Sequence, residues 1–154
     1  GFYFYFPHRD AVLLALLHRV VHEVDTTMAT IITHQPSDPT TLWRRGISVF
    51  VRTFRTHRAV ALAADERAHA NDDINALWAT FRHKWIAHSA RVIETERARG
   101  AAPGTLPAGD LATALYQLNE NAILTSPMPD GQLLDALVHI WTASIYSQSA
   151  TGCE

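Results

Sequence analysis

Residues 71–100 read NDDINALWATFRHKWIAHSARVIETERARG. Asn71 is a helix-capping residue, Asp72 and Asp73 put two acids on a first turn, and no proline or glycine follows until Gly100. Trp78, Phe81, Trp85, Ser89 and Val92 recur at three- and four-residue steps and so share one face. The stretch predicts a helix over 72–99, roughly 42 Å long at about 1.5 Å per residue. The rest of the chain divides in the same way. Breakers at Pro7, Pro36 to Pro39, Asn71, Gly100 to Gly109 and Ser126 to Gly131 separate segments of helical periodicity at 9–34, 39–55, 57–69, 72–99, 110–125 and 131–147. Asp38 before Pro39 reads as an N-cap followed by an N1 proline, and Asp110 and Asp130 open the last two segments in the same manner. The fold class is therefore all-α. The opening Phe2-Tyr3-Phe4-Tyr5-Phe6 has β propensity, but no second strand pattern exists for it to pair with.

Composition narrows the class further. With 154 residues, 47% hydrophobic, 18% charged and a formal charge of −2, the chain fits one globular domain with a sizeable core. The longest apolar runs, such as Ala11 to Leu17, fall far short of the roughly 20 residues of a membrane span, and no signal-peptide pattern precedes them, so the expected location is cytoplasmic. The lone Cys153 can form no internal disulfide and no thiolate metal site. Arg44, Arg45, Arg52, Arg55 and Arg58 form an acid-free basic segment, which reads either as a solvated helix face or as a surface for anions. Residues 100–154 hold no Lys or Arg, which excludes nucleic-acid binding by that third of the chain.

Two aromatic stripes stand out. Trp43, Gly46, Ile47, Phe50 and Phe54 lie on one face of the second segment, matching the Trp78 stripe of the fourth. Stripes of this kind build ordinary cores, but Gly46 leaves a gap and buried indole N–H groups need partners, so the four tryptophans could also line a chamber. Tyr116, Asn119 and Ile123 on the fifth segment would add a few polar groups to an apolar wall, the usual composition of a small-molecule pocket. The last two segments are apolar around too much of their circumference for monomeric surface helices. A helix hairpin paired with a second copy would cover them, with Leu111, Leu115, Leu118, Leu134, Leu137, Val138 and Ile145 at the dimer interface.

Catalytic and metal chemistry find little support. Glu66-x-x-His69 lacks the second motif and the further carboxylates of a di-iron bundle, and His18 and His22 have no third ligand in register. No G-x-S-x-G elbow and no P-loop occur. A base such as His83 or His88 has no oriented acid or nucleophile beside it in the sequence, and the reading is non-enzymatic, without cofactor or metal.

Phe2 to Leu14, with the sequence FYFYFPHRDAVLL, resembles the end of the recognition helix and the start of the next helix in TetR-family transcriptional repressors. Leu42 to Phe50, Leu77 to Ala87, Gly100 to Glu120 and His139 to Tyr146 are similar to segments of that family's regulatory region, so the likeness runs along the whole chain. The resemblance implies a TetR-type C-terminal regulatory domain of six helices with a two-helix dimerisation hairpin. It divides the chain into a remnant of the DNA-binding helix-turn-helix at 1–8 and an effector-binding and dimerisation domain at 9–154. It also implies a homodimer in which a hydrophobic effector, held in an aromatic tunnel, releases the full-length protein from operator DNA.

The tunnel wall implied is Trp43, Gly46, Ile47, Phe50, Phe54, Trp78, Phe81, Trp85 and Trp141, with Asn119 as its hydrogen-bonding group. Where the family pattern leads one to expect a second asparagine, an aliphatic residue and a threonine, this chain has Tyr116, Arg82 and Ser89; with Ile123 these complete the expected ligand-binding set. Arg82 and Tyr116, pointing inward, would favour an effector with an acceptor or a carboxylate. TetR proteins place roughly 40 to 50 residues, carrying the base-reading side chains, ahead of the point where this sequence begins. The expectation is that Tyr3, Tyr5 and Arg9 represent DNA-backbone contacts only, and that operator binding belongs to a full-length form. The alternative is a stand-alone carrier of hydrophobic ligands or a heterodimerising partner of an intact regulator.

Overall fold

The computed structural model describes residues 2–147, with side chains from His8 onward; Tyr3, Tyr5 and Cys153 therefore lie outside the described side chains. The described residues form six helices: α1 (Phe2–Thr33), α2 (Pro39–Thr56), α3 (Arg58–Arg67), α4 (Asp72–Ala98), α5 (Ala108–Thr125) and α6 (Asp130–Tyr146). The segmentation matches the breaker pattern except at the start. Pro7 was expected to break the chain, yet α1 runs through it without interruption, and no break in the backbone falls between residues 8 and 9. A proline forfeits one i to i−4 hydrogen bond, a local cost within a helix of 32 residues. Thus α1, and not α4, is the longest helix.

Local chemistry explains the helix ends. The Asp38 carboxylate accepts from the Thr41 backbone N–H at 2.8 Å and from its hydroxyl at 2.7 Å, with Pro39 in the first turn of α2. Asn71 Oδ1 accepts from the Ile74 N–H at 3.0 Å and starts α4. At the other end of α4, Gly100 takes φ +80°, the left-handed conformation that lets the Ala101 N–H turn back to the Glu96 carbonyl at 2.9 Å. Asp110 and Asp130 are not caps. Pro107 and Pro129 occupy the cap positions of α5 and α6, and the two acids sit inside the first turns, where they face the positive helix end.

Leu17, Val20, Val21, Val24 and Met28 make the buried stripe of α1, which packs against α2 and α3. Helix α2 packs most extensively on α6, and α4 on α5, so that α2 is enclosed by α1, α3, α5 and α6. Polar ties fasten α1 to this frame, among them a pairing of Glu23 with His57 at 3.1 Å. Near its start, Asp10 accepts from Arg67 Nε at 2.9 Å and Nη2 at 3.1 Å, and from Asn71 Nδ2 at 3.1 Å; the Arg67 hydrogen bonds hold the Asp10 carboxyl below its ordinary pKa. Further along, Asp25 Oδ1 accepts from Trp85 Nε1 at 3.0 Å.

The basic segment also resolves into structural roles. Arg55 donates to the carbonyls of Ser126 at 2.9 Å and Met128 at 3.2 Å, and Arg58 donates to Leu124 at 3.1 Å, which satisfies the open end of α5. Arg44 pairs with Asp135 on α6 at 2.9 Å, while Arg45 and Arg52 are exposed. No described helix is long and apolar enough to cross a membrane.

Candidate functional site: an aromatic cavity between α1, α2, α4, α5 and α6

Between these helices lies a cavity with walls that are almost entirely carbon. About 890 Å³ inside the lining, mouth included, is free of atoms, and about 80 Å³ of this can hold the centre of a water-sized sphere. The lining runs from Leu42 to Phe54 along α2 and from Trp78 to Val92 along α4, roughly 18 and 21 Å at about 1.5 Å per residue. The lining thus extends over several turns of both helices.

Twelve residues of the expected set line it: Trp43, Gly46, Ile47, Phe50, Phe54, Trp78, Trp85, Ser89, Tyr116, Asn119, Ile123 and Trp141. Phe81 and Arg82 do not. Phe81 is buried behind the wall, with its ring centroid 5.8 Å from Phe50 and 5.7 Å from Phe54. Arg82 turns outward, where Nε donates to Glu120 Oε1 at 2.7 Å and Nη2 lies 3.6 Å from Asp65, because an arginine gains more from two acids at the surface than from an apolar chamber. The charged residue in the lining is instead Glu120, so the expectation of a carboxylate-bearing effector loses the cation on which it rested.

Sequence reading missed the contribution of α1. Met28, Ile31 and Ile32 close one side of the cavity, with Gln35 just beyond the helix end, and the spacing of the three helical residues continues the buried α1 stripe. That continuation was the available signal. Leu42, His88, Val92, Glu120 and Leu124 also line the space.

Phe50 stands at the junction of the walls, with ring centroids 5.9 Å from Trp85, 6.2 Å from Tyr116 and 6.2 Å from Phe54. Three indole N–H groups are satisfied from outside the cavity or across it. Trp141 Nε1 donates to Asn119 Oδ1 at 2.8 Å, and Trp85 donates to Asp25. Trp43 Nε1 donates to Tyr146 Oη at 2.9 Å; Tyr146 in turn donates to Glu96 Oε2 at 2.9 Å, and Arg99 grips both Glu96 oxygens at 2.8 Å. The Arg99 hydrogen bonds hold the Glu96 carboxyl below its ordinary pKa, while burial pushes the Tyr146 phenol up to about 12. Trp78 Nε1 is buried without a partner among the described residues.

Asn119 is buried, and its carbonyl is committed to Trp141. Its two amide N–H groups have no hydrogen-bond acceptor among the described residues, and neither has the buried Tyr116 hydroxyl, which burial keeps protonated. The α5 wall therefore offers two free amide donors beside the Tyr116 hydroxyl. No group of three or more His, Cys, Asp or Glu among the described residues could hold a metal ion.

The dimer-interface expectation needs correction. Leu115, Leu137, Val138 and Ile145 are between 1% and 5% exposed and belong to the chain's own core. Leu111 and Leu134 are partly buried and Leu118 is 38% exposed, so the outer apolar face of α5 and α6 is formed by these three with Ile140, also 38% exposed. Periodicity identified two apolar faces on each helix but not which of them α2 and α4 would cover. Arg9, expected at DNA, is exposed.

Six helices around an aromatic chamber define a TetR-type regulatory domain. Residues 43–147 match the family model described as transcriptional regulator EthR, C-terminal domain. The chain is 46% identical over 155 residues to the HTH-type transcriptional regulator EthR of Mycobacterium tuberculosis, covering 96% of this chain and 72% of that protein; the EthR of Mycobacterium bovis gives the same values. The EthR of Mycolicibacterium smegmatis is 38% identical over 158 residues, covering 98% of this chain and 72% of the relative. The chain belongs to the EthR family of transcriptional regulators.

Proposed function

We propose that this chain is the effector-sensing and dimerising region of a transcriptional repressor, and that a slender, uncharged, mostly apolar ligand in the cavity releases the full-length protein from operator DNA. The observation that carries this reading is the cavity itself: a carbon-walled space lined from Leu42 to Phe54 on α2 and from Trp78 to Val92 on α4, with two unpartnered Asn119 N–H donors able to fix one acceptor on the ligand. Its small free volume favours a slender chain over a bulky ring system.

Helix α1 offers a route from cavity to DNA. Its later half contributes Met28, Ile31 and Ile32 to the wall, and its earlier half is held by Asp10 to the α3–α4 junction. A ligand that needs more width at Met28 than the empty chamber provides favours a displaced α1, and the population shifts by the difference in affinity for the two positions. The outer face containing Leu118 and Ile140 would be covered by a second copy of the chain.

The test is a tryptophan-fluorescence titration of the purified chain with methyl decanoate, alongside native mass spectrometry. Saturable quenching and a dimer carrying one ester per protomer are the expected results. A full-length form should then lose operator binding in a gel shift over the same ester concentrations. Absence of binding by any apolar ester would overturn the sensor reading.

A further inference from the structure

His88 is the one histidine in the cavity lining. Its ring packs edge-on against Trp85, with centroids 5.5 Å apart and planes at 79°, and Trp85 is itself fixed by its hydrogen bond to Asp25. Neither imidazole nitrogen has a hydrogen-bond partner among the described residues, although the side chain is partly buried. Burial, helped by the neighbouring Arg91 cation, pushes its pKa below the ordinary imidazole value, so the ring is neutral around pH 7 and carries one donor and one acceptor.

That acceptor complements the α5 wall. Asn119 has only donors left, because its carbonyl serves Trp141. Because Glu120 is tied to Arg82 through Oε1, a ligand hydroxyl or amide N–H entering the chamber finds a neutral, uncommitted acceptor at His88 on α4, while the free amide donors of Asn119 sit on α5. A polar nitrogen left without a partner once a ligand has displaced water would cost affinity, so the matching ligand supplies one.

We propose that His88 is a second polar anchor of the cavity, and that the preferred ligand carries a hydroxyl or amide N–H for His88 in addition to the acceptor taken by Asn119. The proposal rests on the effector reading above and adds the chemical class: a slender hydroxylated ester or amide in place of a plain hydrocarbon or a carboxylate.

The experiment compares methyl decanoate with a series of methyl hydroxydecanoates, differing in hydroxyl position, by tryptophan fluorescence near pH 8. Wild type and His88→Phe are titrated; phenylalanine keeps the edge-on contact with Trp85 and removes both nitrogens. In wild type, at least one hydroxylated ester is expected to bind about fivefold tighter than the plain ester, the size of one net hydrogen bond. His88→Phe should bind the plain and the hydroxylated esters with equal affinity, so that the ratio between them falls to about one whatever its affinity for the plain ester, and His88→Gln should restore part of the ratio. If thermal unfolding shows that His88→Phe does not fold, His88→Leu takes its place in the comparison. The proposal is overturned if wild type favours no positional isomer, or if the preference survives removal of the imidazole. If wild type binds neither plain nor hydroxylated esters, the effector reading fails first and this inference falls with it.

Discussion

The two ends of the cavity are built from the same residue types and held by different forces. At the α2 start, Trp43 and Trp141 stand 5.1 Å apart, and each indole N–H is tied to a polar group: Trp43 to Tyr146 and through it to Glu96 and Arg99, Trp141 to Asn119. At the α2 finish, Phe54 stacks on Trp78 at 5.7 Å with Phe81 edge-on to both, and the Trp78 N–H has no partner among the described residues. Hydrogen bonds fix ring orientation at the first end, whereas ring packing, with the Arg82 guanidinium 5.3 Å from the Trp78 ring centroid, fixes it at the second. A wall pinned by directional bonds holds its form without a ligand; one packed by rings can re-form around a guest.

The largest expected effect breaks the ring-packed end. Phe54→Ala should cost about 3–5 kcal/mol of stability, since a fully buried ring leaves a void that its aromatic neighbours cannot fill, and urea unfolding would measure it. Next comes the pinned end. Glu96→Ala leaves the partly buried Tyr146 hydroxyl without its acceptor while the half-exposed Arg99 fork turns to water, for about 1–2 kcal/mol in the same assay. The pH dependence follows from the same group. The folded Glu96 pKa is depressed, so its stabilisation is present above the ordinary carboxylate range and is lost as pH falls from about 4.5 through the lower folded value; Glu96→Gln should flatten that part of the acid limb.

A paired substitution sharpens the contrast between the ends. Trp141→Phe removes a hydrogen bond and leaves the Asn119 carbonyl unpaired, whereas Trp78→Phe removes a donor that had no partner. With similar volume lost, Trp141→Phe should be worse by about 1–2 kcal/mol, and equal losses would show that the Asn119 bond contributes nothing net. The smallest effect is at Gly46, where an added Cβ would meet Met28 Cε at 3.7 Å, an ordinary contact. Gly46→Ala should stabilise the helix by about 0.5–1 kcal/mol and raise the melting temperature by a few degrees, while weakening ester binding because the methyl group occupies cavity space.

Much of the fold was legible in the sequence because it depends on near neighbours. Asp38, Asn71 and Gly100 act on backbone groups within a few residues, so their side chains announce helix ends directly. The stripes on α2, α4 and α5 were legible for the same reason, and they delivered twelve of the cavity-lining residues. Arg82 was misplaced because a position on a stripe gives the direction of a side chain only approximately, and the acids that draw it outward, Asp65 and Glu120, come from two other helices.

The sequence by itself determined five of the six helices closely, the caps at Asp38 and Asn71, the aromatic faces and the family, since each is written in residue types at short, fixed spacings. Tertiary structure decided which apolar face of α5 and α6 is core, which indoles find partners, and where His88 stands relative to Asn119. Those outcomes depend on contacts between residues far apart in the chain, such as Trp43 with Tyr146 and Trp85 with Asp25. A periodic pattern shows that a helix has a face to bury; only the packed neighbours determine what that face meets.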